Sequence, residues 1–454
     1  MTDARALAYQ ILLQMDRNGS YPDRLVGSML DRHPLPHERD RALVTELVYG
    51  VLRWRARLDW HIDGLSRVKP RKIAPPVRLL LRLALYQMLF LDRVPDHAAI
   101  HEAVKTARST QPPHIAKFVN AILREAQRRH PRWDLPSRLE DPAGYLVHVA
   151  SYPPWLVNRF LAEWGVESTA AFCEASNETA PLALRVNPLK TTTSEVLRLL
   201  GDSGIDGEPS SCLENAVRLH RPGRDVSRIP LYEQGAVQVQ DEASQLVSRL
   251  VDPRPGERVA DLCAGFGGKS THLGILMKNR GDLLAVDEAS WKLEHLADNA
   301  RRQGLSIVRT LGADVLELSS ASAGLFDRVL LDAPCSGFGV LRRNPDIKWR
   351  RGPKDPYRFG RLQSSLLERG SALVKPGGVL VYATCTVFPE ENEAVARRFS
   401  EARPDWVIED ASEFLPSGAR HMADPPFFQS RPHLHGVDGF FAARWRRPLQ
   451  REER

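Results

Sequence analysis

The strongest constraint on the fold is a change of rhythm near residue 233. From there short apolar runs alternate with helical patterns: VADLC, a Gly-rich turn, a helix, LLAVDE, a helix, SIVRT, DRVLLD, a long helix and GVLVYATC. Such alternation predicts a doubly wound α/β domain with a mostly parallel sheet, closed by a last strand at GFFAARW (439–445). Open α/β enzymes do their chemistry at the carboxyl ends of the strands. Two of these strands run into cysteine, DRVLLDAPC ending at Cys335 and GVLVYATC ending at Cys385. A single cysteine reads as core packing. A pair at two strand ends beside a ligand-binding loop reads as candidate nucleophiles.

The remainder of the chain divides by pattern. Residues 1–135 read as all helix, with Ala4, Leu7, Ala8, Ile11, Leu12 and Met15 at helical spacing and Thr2 available as N-cap. A longer helix is expected through Leu43, Val44, Leu47, Val48, Val51, Trp54 and Leu58, and an apolar central helix over 77–91. A proline-rich passage from Pro131 to Pro154 leads to a small α+β module at 145–225, and RPGRDVSRIP (221–230) reads as a second linker. The α/β domain occupies 230–454. With 454 residues, several domains are expected.

Charge is unevenly placed. Residues 1–140 carry 24 Lys and Arg against 15 Asp and Glu, a net +9, while the rest nets −2. The N-terminal domain is therefore the part expected to meet a polyanion, with a second basic patch at 341–361. The longest apolar stretch, 79–91, is interrupted by Arg82 and Gln87 and too short to span a bilayer. No secretory leader is visible, and five cysteines without C-x-x-C spacing suggest neither disulfides nor a zinc site. The expectation is a cytoplasmic protein with no metal and no membrane partner, and nothing calls for more than a monomer.

The turn after VADLC runs Cys263, Ala264, Gly265, Phe266, Gly267, Gly268 and Lys269, and opens a helix. Its glycines let the backbone approach a ligand, and the helix N-terminus offers free N–H groups. Asp287 ends the next strand, where a carboxylate accepts both hydroxyls of a ribose; Asp314 follows the third strand, placed for an adenine edge. Ser270 stands where a dinucleotide fingerprint wants glycine, and no second nucleotide half follows, so S-adenosylmethionine is preferred over NAD. Two thiols beside a methyl donor fit methylation at C5 of cytosine. That carbon becomes nucleophilic only after a thiolate adds to C6, and the scheme needs a cysteine, a group at N3 and a base for the C5 proton. Cys385, Asp332 and Cys335 are the candidates, and Phe338, Trp349 and Phe388 are possible stacking partners for a flipped base.

VADLCAGFGGKSTHL, LLDAPCSGFGVLRRNPDIKW and VYATCTVFPEEN resemble three successive motifs of the Sun/RsmB/Nop2 group of RNA cytosine-C5 methyltransferases, over roughly residues 230–445. DRALVTELVYGVLRWRARLDWHI, LRLALYQMLFL, VPDHAAIHEAV and FVNAILR resemble the RNA-binding domain of the antitermination factor NusB. That fusion is similar to the branch of the group acting on small-subunit (16S) ribosomal RNA. The resemblance implies a Rossmann-like class I methyltransferase domain, S-adenosylmethionine as cofactor and ribosomal RNA as partner. It makes Cys385 the nucleophile and Cys335 the helper in proton removal and release, with cofactor contacts at 263–269, Asp287, Asp314 and Asp332. The group usually has CAAPGGK where this chain has CAGFGGK, which predicts a looser loop. The alternatives are the same chemistry on transfer RNA, or a non-catalytic RNA-binding protein of antitermination type.

Overall fold

Seven helices with apolar stripes build the N-terminal part: α1 (Ala4–Asn18), α2 (Pro22–Arg32), α3 (Glu38–Arg53), α4 (Arg55–Leu65), α5 (Pro75–Phe90), α6 (Asp96–Thr110) and α7 (Pro113–Arg129). The computed structural model describes residues 3–129, 133–220 and 225–449; Thr2 and residues 221–224 of the expected second linker lie outside them. Asp3 caps α1 by accepting from Arg5 N at 3.3 Å. α5 is the buried centre of the bundle, as its all-round apolar character predicts. Its two polar interruptions are satisfied inside. Arg82 makes a bidentate pair with Asp59 (2.8 and 2.7 Å), and Gln87 accepts from Arg5 Nε at 2.6 Å. The single long helix expected through Leu58 is instead two. The chain breaks at Trp54 (φ −105°, ψ 20°), whose ring stacks on Phe90 at 4.9 Å, and tertiary packing overrides helix propensity there.

This unit comprises Met1–Asn177 and also Asn344–Gly352. The latter stretch corrects the reading of 341–361 as one exposed basic patch. Lys348 is fully buried; its Nζ donates to Arg53 O (2.8 Å), Ser151 O (2.9 Å) and Asn177 Oδ1 (3.1 Å) and lies 4.1 Å above the Tyr152 ring. Burial pushes this ammonium well below its ordinary pKa. Trp349, a possible stacking residue, donates to Leu52 O at 2.6 Å and is part of the packing. A last helix of the unit, α8 (Pro154–Asn177), is kinked at Gly165 (φ 73°).

The second unit comprises Glu178–Arg343 and Pro353–Arg454. It begins with a small antiparallel sheet, β1 (Leu182–Val186), β2 (Gly207–Pro209), β3 (Ala216–Leu219) and β4 (Val237–Val239), in the order β2-β3-β1-β4, with α9 (Thr193–Asp202) after β1. The fourth strand thus comes from beyond residue 225. α10 (Glu242–Val251) leads into the large sheet. There β5 (Arg258–Leu262), α11 (Gly268–Leu276), β6 (Asp282–Asp287), α12 (Ser290–Gln303), β7 (Val308–Gly312), β8 (Phe326–Asp332), α13 (Asp355–Ser371), β9 (Val374–Thr384) and α14 (Glu393–Ala402) alternate. β10 (Val407–Glu409), β11 (Ala423–Asp424), β12 (Phe427–Gln429) and β13 (Phe441–Arg446) finish it. β9, β8, β5, β6 and β7 are parallel neighbours; β13 adds antiparallel to β9, and β10 and β12 to β13. Both faces of the parallel strands are covered, and the cores on the two sides are almost wholly aliphatic and aromatic. This is the expected Rossmann-like, mostly parallel sheet. Among the described residues no helix is long and apolar enough to cross a membrane.

Candidate active site

Strand order decides which residues meet. β5 continues to β6 and β7 on one side, and to β8 and β9 on the other, so the order reverses between β5 and β8, where open α/β sheets bind ligands. Reading along that edge, the chain exits at Cys385 (β9), Asp332 and Cys335 (β8), the 263–269 turn (β5), Asp287 (β6) and Asp314 (β7). β8 and β9 pair with Asp332 opposite Ala383. Three residues beyond one and two beyond the other, the two sulfurs come to 3.2 Å.

The thiols are half-buried and free. The hydrogen bond with Cys385, and then burial, push the Cys335 thiol far above the ordinary range. The two sulfurs share one hydrogen bond, in which either can be the donor. Backbone fixes the pair: Gly339 N donates to Cys385 O (2.9 Å) and Gly439 N to Gly339 O (2.8 Å). A Cβ on Gly339 would lie 1.9 Å from Gly439 O, so only glycine allows this approach. Phe338 and Phe388 pack edge to face behind the site (5.0 Å), fully buried, and neither presents a face for stacking.

Asp332 receives the Lys269 ammonium at 2.6 Å. Burial by itself would push Lys269 down, but the Asp332 carboxylate outweighs it and the lysine stands above its ordinary pKa. Lys269 is thus not the solvated first-turn residue its position suggests. Its Nζ also lies 5.0 Å from the Phe440 ring centre. Ser270, the departure from a dinucleotide fingerprint, donates to Asp261 Oδ2 at 2.5 Å. Asp261 is fully buried with its second oxygen unpartnered, and burial pushes its carboxyl up to about 7.

The turn is tightly pinned. Cys263 (φ 63°), Gly265 (φ 56°) and Gly267 (φ 79°) take left-handed conformations. Ala264 N donates to Val286 O (2.8 Å), Gly265 N to Asp287 Oδ2 (2.9 Å) and Gly267 N to Ala264 O (3.0 Å). The looseness expected from the missing proline is offset by these bonds and by Phe266, whose exposed ring meets Trp291 edge-on at 5.4 Å. Asp287 Oδ1 also accepts from Ala289 N (2.9 Å) and Lys292 Nζ (3.4 Å), so Oδ2, bonded to Gly265 N, is the oxygen that retains a lone pair for a ligand. Asp314 caps a short 3-10 turn by accepting from Leu316 N at 2.8 Å. A Cβ on Gly265 would meet no atom within 4 Å, so the backbone leaves open space beside Asp287. An acid at the β6 end, a glycine-lined gap and the first-turn N–H groups of α11 fit the ribose and charged tail of S-adenosylmethionine.

Two residues escaped the reading of the sequence. Arg185 of β1 is fully buried and donates to Gln240 Oε1 (2.5 Å), Gly268 O (2.6 Å), Thr271 Oγ1 (2.9 Å) and Gln303 Oε1 (2.8 Å), binding the small sheet to the start of α11. Burial, with Arg302 nearby, pushes it down to about 9. Glu391 is fully buried beside both thiol turns. It accepts from Ser336 N (2.8 Å), from the Ser336 hydroxyl, from Gln363 Nε2 (3.1 Å) and from Thr386 Oγ1 (3.4 Å). Burial raises its carboxyl to about 7 against these donors.

Comparison with known proteins agrees with this arrangement. Residues 248–446 match the family described as 16S rRNA methyltransferase RsmB/F, residues 2–128 the NusB family, and residues 152–227 the RsmF/B-like ferredoxin-like domain. A probable ribosomal RNA small subunit methyltransferase B of Bacillus subtilis (strain 168) is 38% identical, covering 98% of this chain and 99% of its own length. A ribosomal RNA small subunit methyltransferase B of Salmonella arizonae is 34% identical over 97% of each. The crystal structure of a protein designated PH0851 superposes with a TM-score of 0.81 at 28% identity, covering 97% of this chain and 98% of that one. With a NusB-family domain before it and a methyltransferase sheet carrying the paired thiols, the chain belongs to the RsmB/F family of small-subunit ribosomal RNA methyltransferases.

Proposed function

We propose that the protein methylates C5 of one cytosine in 16S ribosomal RNA, with S-adenosylmethionine as donor and through a covalent bond from Cys385 Sγ to C6. The carrying observation is the Cys335–Cys385 contact of 3.2 Å, since methylation of an exocyclic amine needs no thiol at all. The likeness of YATC, ending at Cys385, to the family's nucleophile motif supports Cys385 as the sulfur that attacks. S-adenosylmethionine, when bound, supplies an electrophilic methyl group; residues 263–269, Asp287, Asp314 and Asp332 would hold it. Attack by Cys385 places electron density on the ring, and Asp332 meets the N3 side of the base. After methylation the C5 proton must leave and the C6–S bond must break. Cys335 assists removal of the C5 proton, and the electron pair left behind re-forms the C5–C6 double bond and expels the Cys385 thiolate. In this scheme residues 1–135 anchor RNA, 145–225 form the linking module, and 230–454 perform the chemistry.

Covalent trapping tests the reading, with purified protein, 16S RNA and S-adenosylmethionine. Cys335→Ala accumulates a denaturant-resistant protein–RNA adduct, whereas Cys385→Ala forms none and is inactive. The reverse pattern would exchange the two roles, and full activity in both variants would overturn the C5 chemistry.

A further inference from the structure

Cys335 and Cys385 sit on separate turns, and their 3.2 Å separation needs something to hold those turns in register. The backbone bond from Gly339 fixes Cys385. Next to Cys335 the tie is a carboxylate. We propose that Glu391 is a positioning residue that clamps the two thiol-bearing turns together and so sets the geometry for breaking the Cys385–C6 bond. This inference rests on the cysteine chemistry proposed above.

The geometry is specific. Ser336 follows Cys335 and Thr386 follows Cys385, and the two hydroxyls are 2.8 Å apart. One Glu391 oxygen accepts from both hydroxyls; the other accepts from Ser336 N (2.8 Å) and Gln363 Nε2 (3.1 Å). Gln363 also donates to Pro334 O at 2.9 Å, so residues 334 and 336, on either side of Cys335, both connect to this carboxylate. Asn392 does the same around the other thiol, accepting from Thr384 Oγ1 (2.5 Å) and donating to Thr386 O (3.0 Å). Helix α13 closes the cluster: a Cβ on Gly360 would meet Glu390 O at 2.3 Å, so the helix presses directly on the turn.

These partners of the carboxylate are all neutral donors, and the group is fully buried. A buried carboxyl answered by neutral donors is a poor source of stability compared with an apolar side chain. Its donors come from the two turns whose thiols must cooperate, and from the helix that supports one of them. That distribution suits alignment.

The test uses the full chain with 16S RNA and S-adenosylmethionine, comparing wild type, Glu391→Ala, Glu391→Gln and the two cysteine variants. Glu391→Ala is expected to lower kcat at least tenfold, with KM falling in step, because a slowed late step leaves enzyme waiting as adduct. It also accumulates the denaturant-resistant adduct several-fold above wild type, because release suffers more than attack. Glu391→Gln, which keeps the shape and one acceptor oxygen, restores most of the turnover. Unchanged kcat in Glu391→Ala would overturn the clamp. So would a loss of activity without adduct, accompanied by raised KM values and a lowered melting temperature in both Glu391 variants, since that is the pattern of general misfolding. If Cys385→Ala remained active, the reaction itself would be misread; if only the Glu391 outcomes failed, the clamp alone would fall.

Discussion

Two glycines of the 263–269 turn, two residues apart and both left-handed, should respond differently to the same added methyl group. Gly265 (φ 56°) faces open space, whereas a Cβ on Gly267 (φ 79°) would lie 2.3 Å from Leu296 Cγ, inside the core between α11 and α12. An L residue in that conformation costs about 1–2 kcal/mol, and reduced freedom of the unfolded chain returns about 0.4–1 kcal/mol. Gly265→Ala should therefore destabilise the turn by only about 1 kcal/mol. Gly267→Ala adds overpacking worth about 1–3 kcal/mol, for a total near ~2–4 kcal/mol. Binding should rank them in reverse relative to stability. At Gly265 the new methyl enters the gap beside Asp287, so S-adenosylmethionine affinity falls about tenfold or more, equivalent to ~1.4 kcal/mol, out of proportion to the small loss of stability. Amide exchange of peptides spanning β5 and α11 reports local stability, and calorimetric titration of the full chain reports affinity. Equal protection in the two variants would refute the packing contrast, and wild-type affinity in Gly265→Ala would refute the assignment of that gap to the cofactor.

Two further outcomes follow from charge. Burial raises Asp261 to about 7, so the folded state holds its proton more tightly than the unfolded chain. The stability this contributes is complete below the unfolded pKa near ~4 and disappears as pH rises through about 7, with a ceiling of ~4 kcal/mol. Thermal melts of wild type and Asp261→Asn should thus differ in pH dependence between about 4 and 7, and parallel profiles would count against a protonated Asp261. In the N-terminal unit much of the positive charge is internal, for example Arg78 and Arg82 on Asp59, but Arg67, Lys69, Arg71 and Lys72 are exposed around one turn. Reversing these four charges together should weaken binding to 16S RNA and lower the slope of log K against log salt by about one for each phosphate no longer engaged. An unchanged slope would place the RNA anchor elsewhere.

What was legible in the chain was what local pattern encodes. Strand–helix alternation foretold the sheet, and each site residue was recognisable because it follows an apolar strand: Cys335 after β8, Cys385 after β9, Asp287 at the end of β6. Their proximity depends on strand order and register, which no local pattern carries. The break at Trp54 and the burial of Lys348 were hidden for the same reason, since each is decided by a partner distant in sequence, Phe90 in one case and Arg53, Ser151 and Asn177 in the other.

Arg185 and Glu391 show the limit most sharply. Both stand within recognisable segments, LALRVNP and VFPEEN, yet a charged residue in a strand or loop reads first as solvent-facing. Arg185 lies on the opposite face of β1 from Leu184 and Val186, and because the structure buries both faces of that strand its guanidinium requires acceptors. Glu391 lies six residues past Cys385, between β9 and α14, where the buried Ser336 N–H needs an acceptor. In both cases burial forces the charge to find partners. Those partners include residues of the 263–269 turn and of the two thiol-bearing turns, so each buried charge ties together segments distant in sequence.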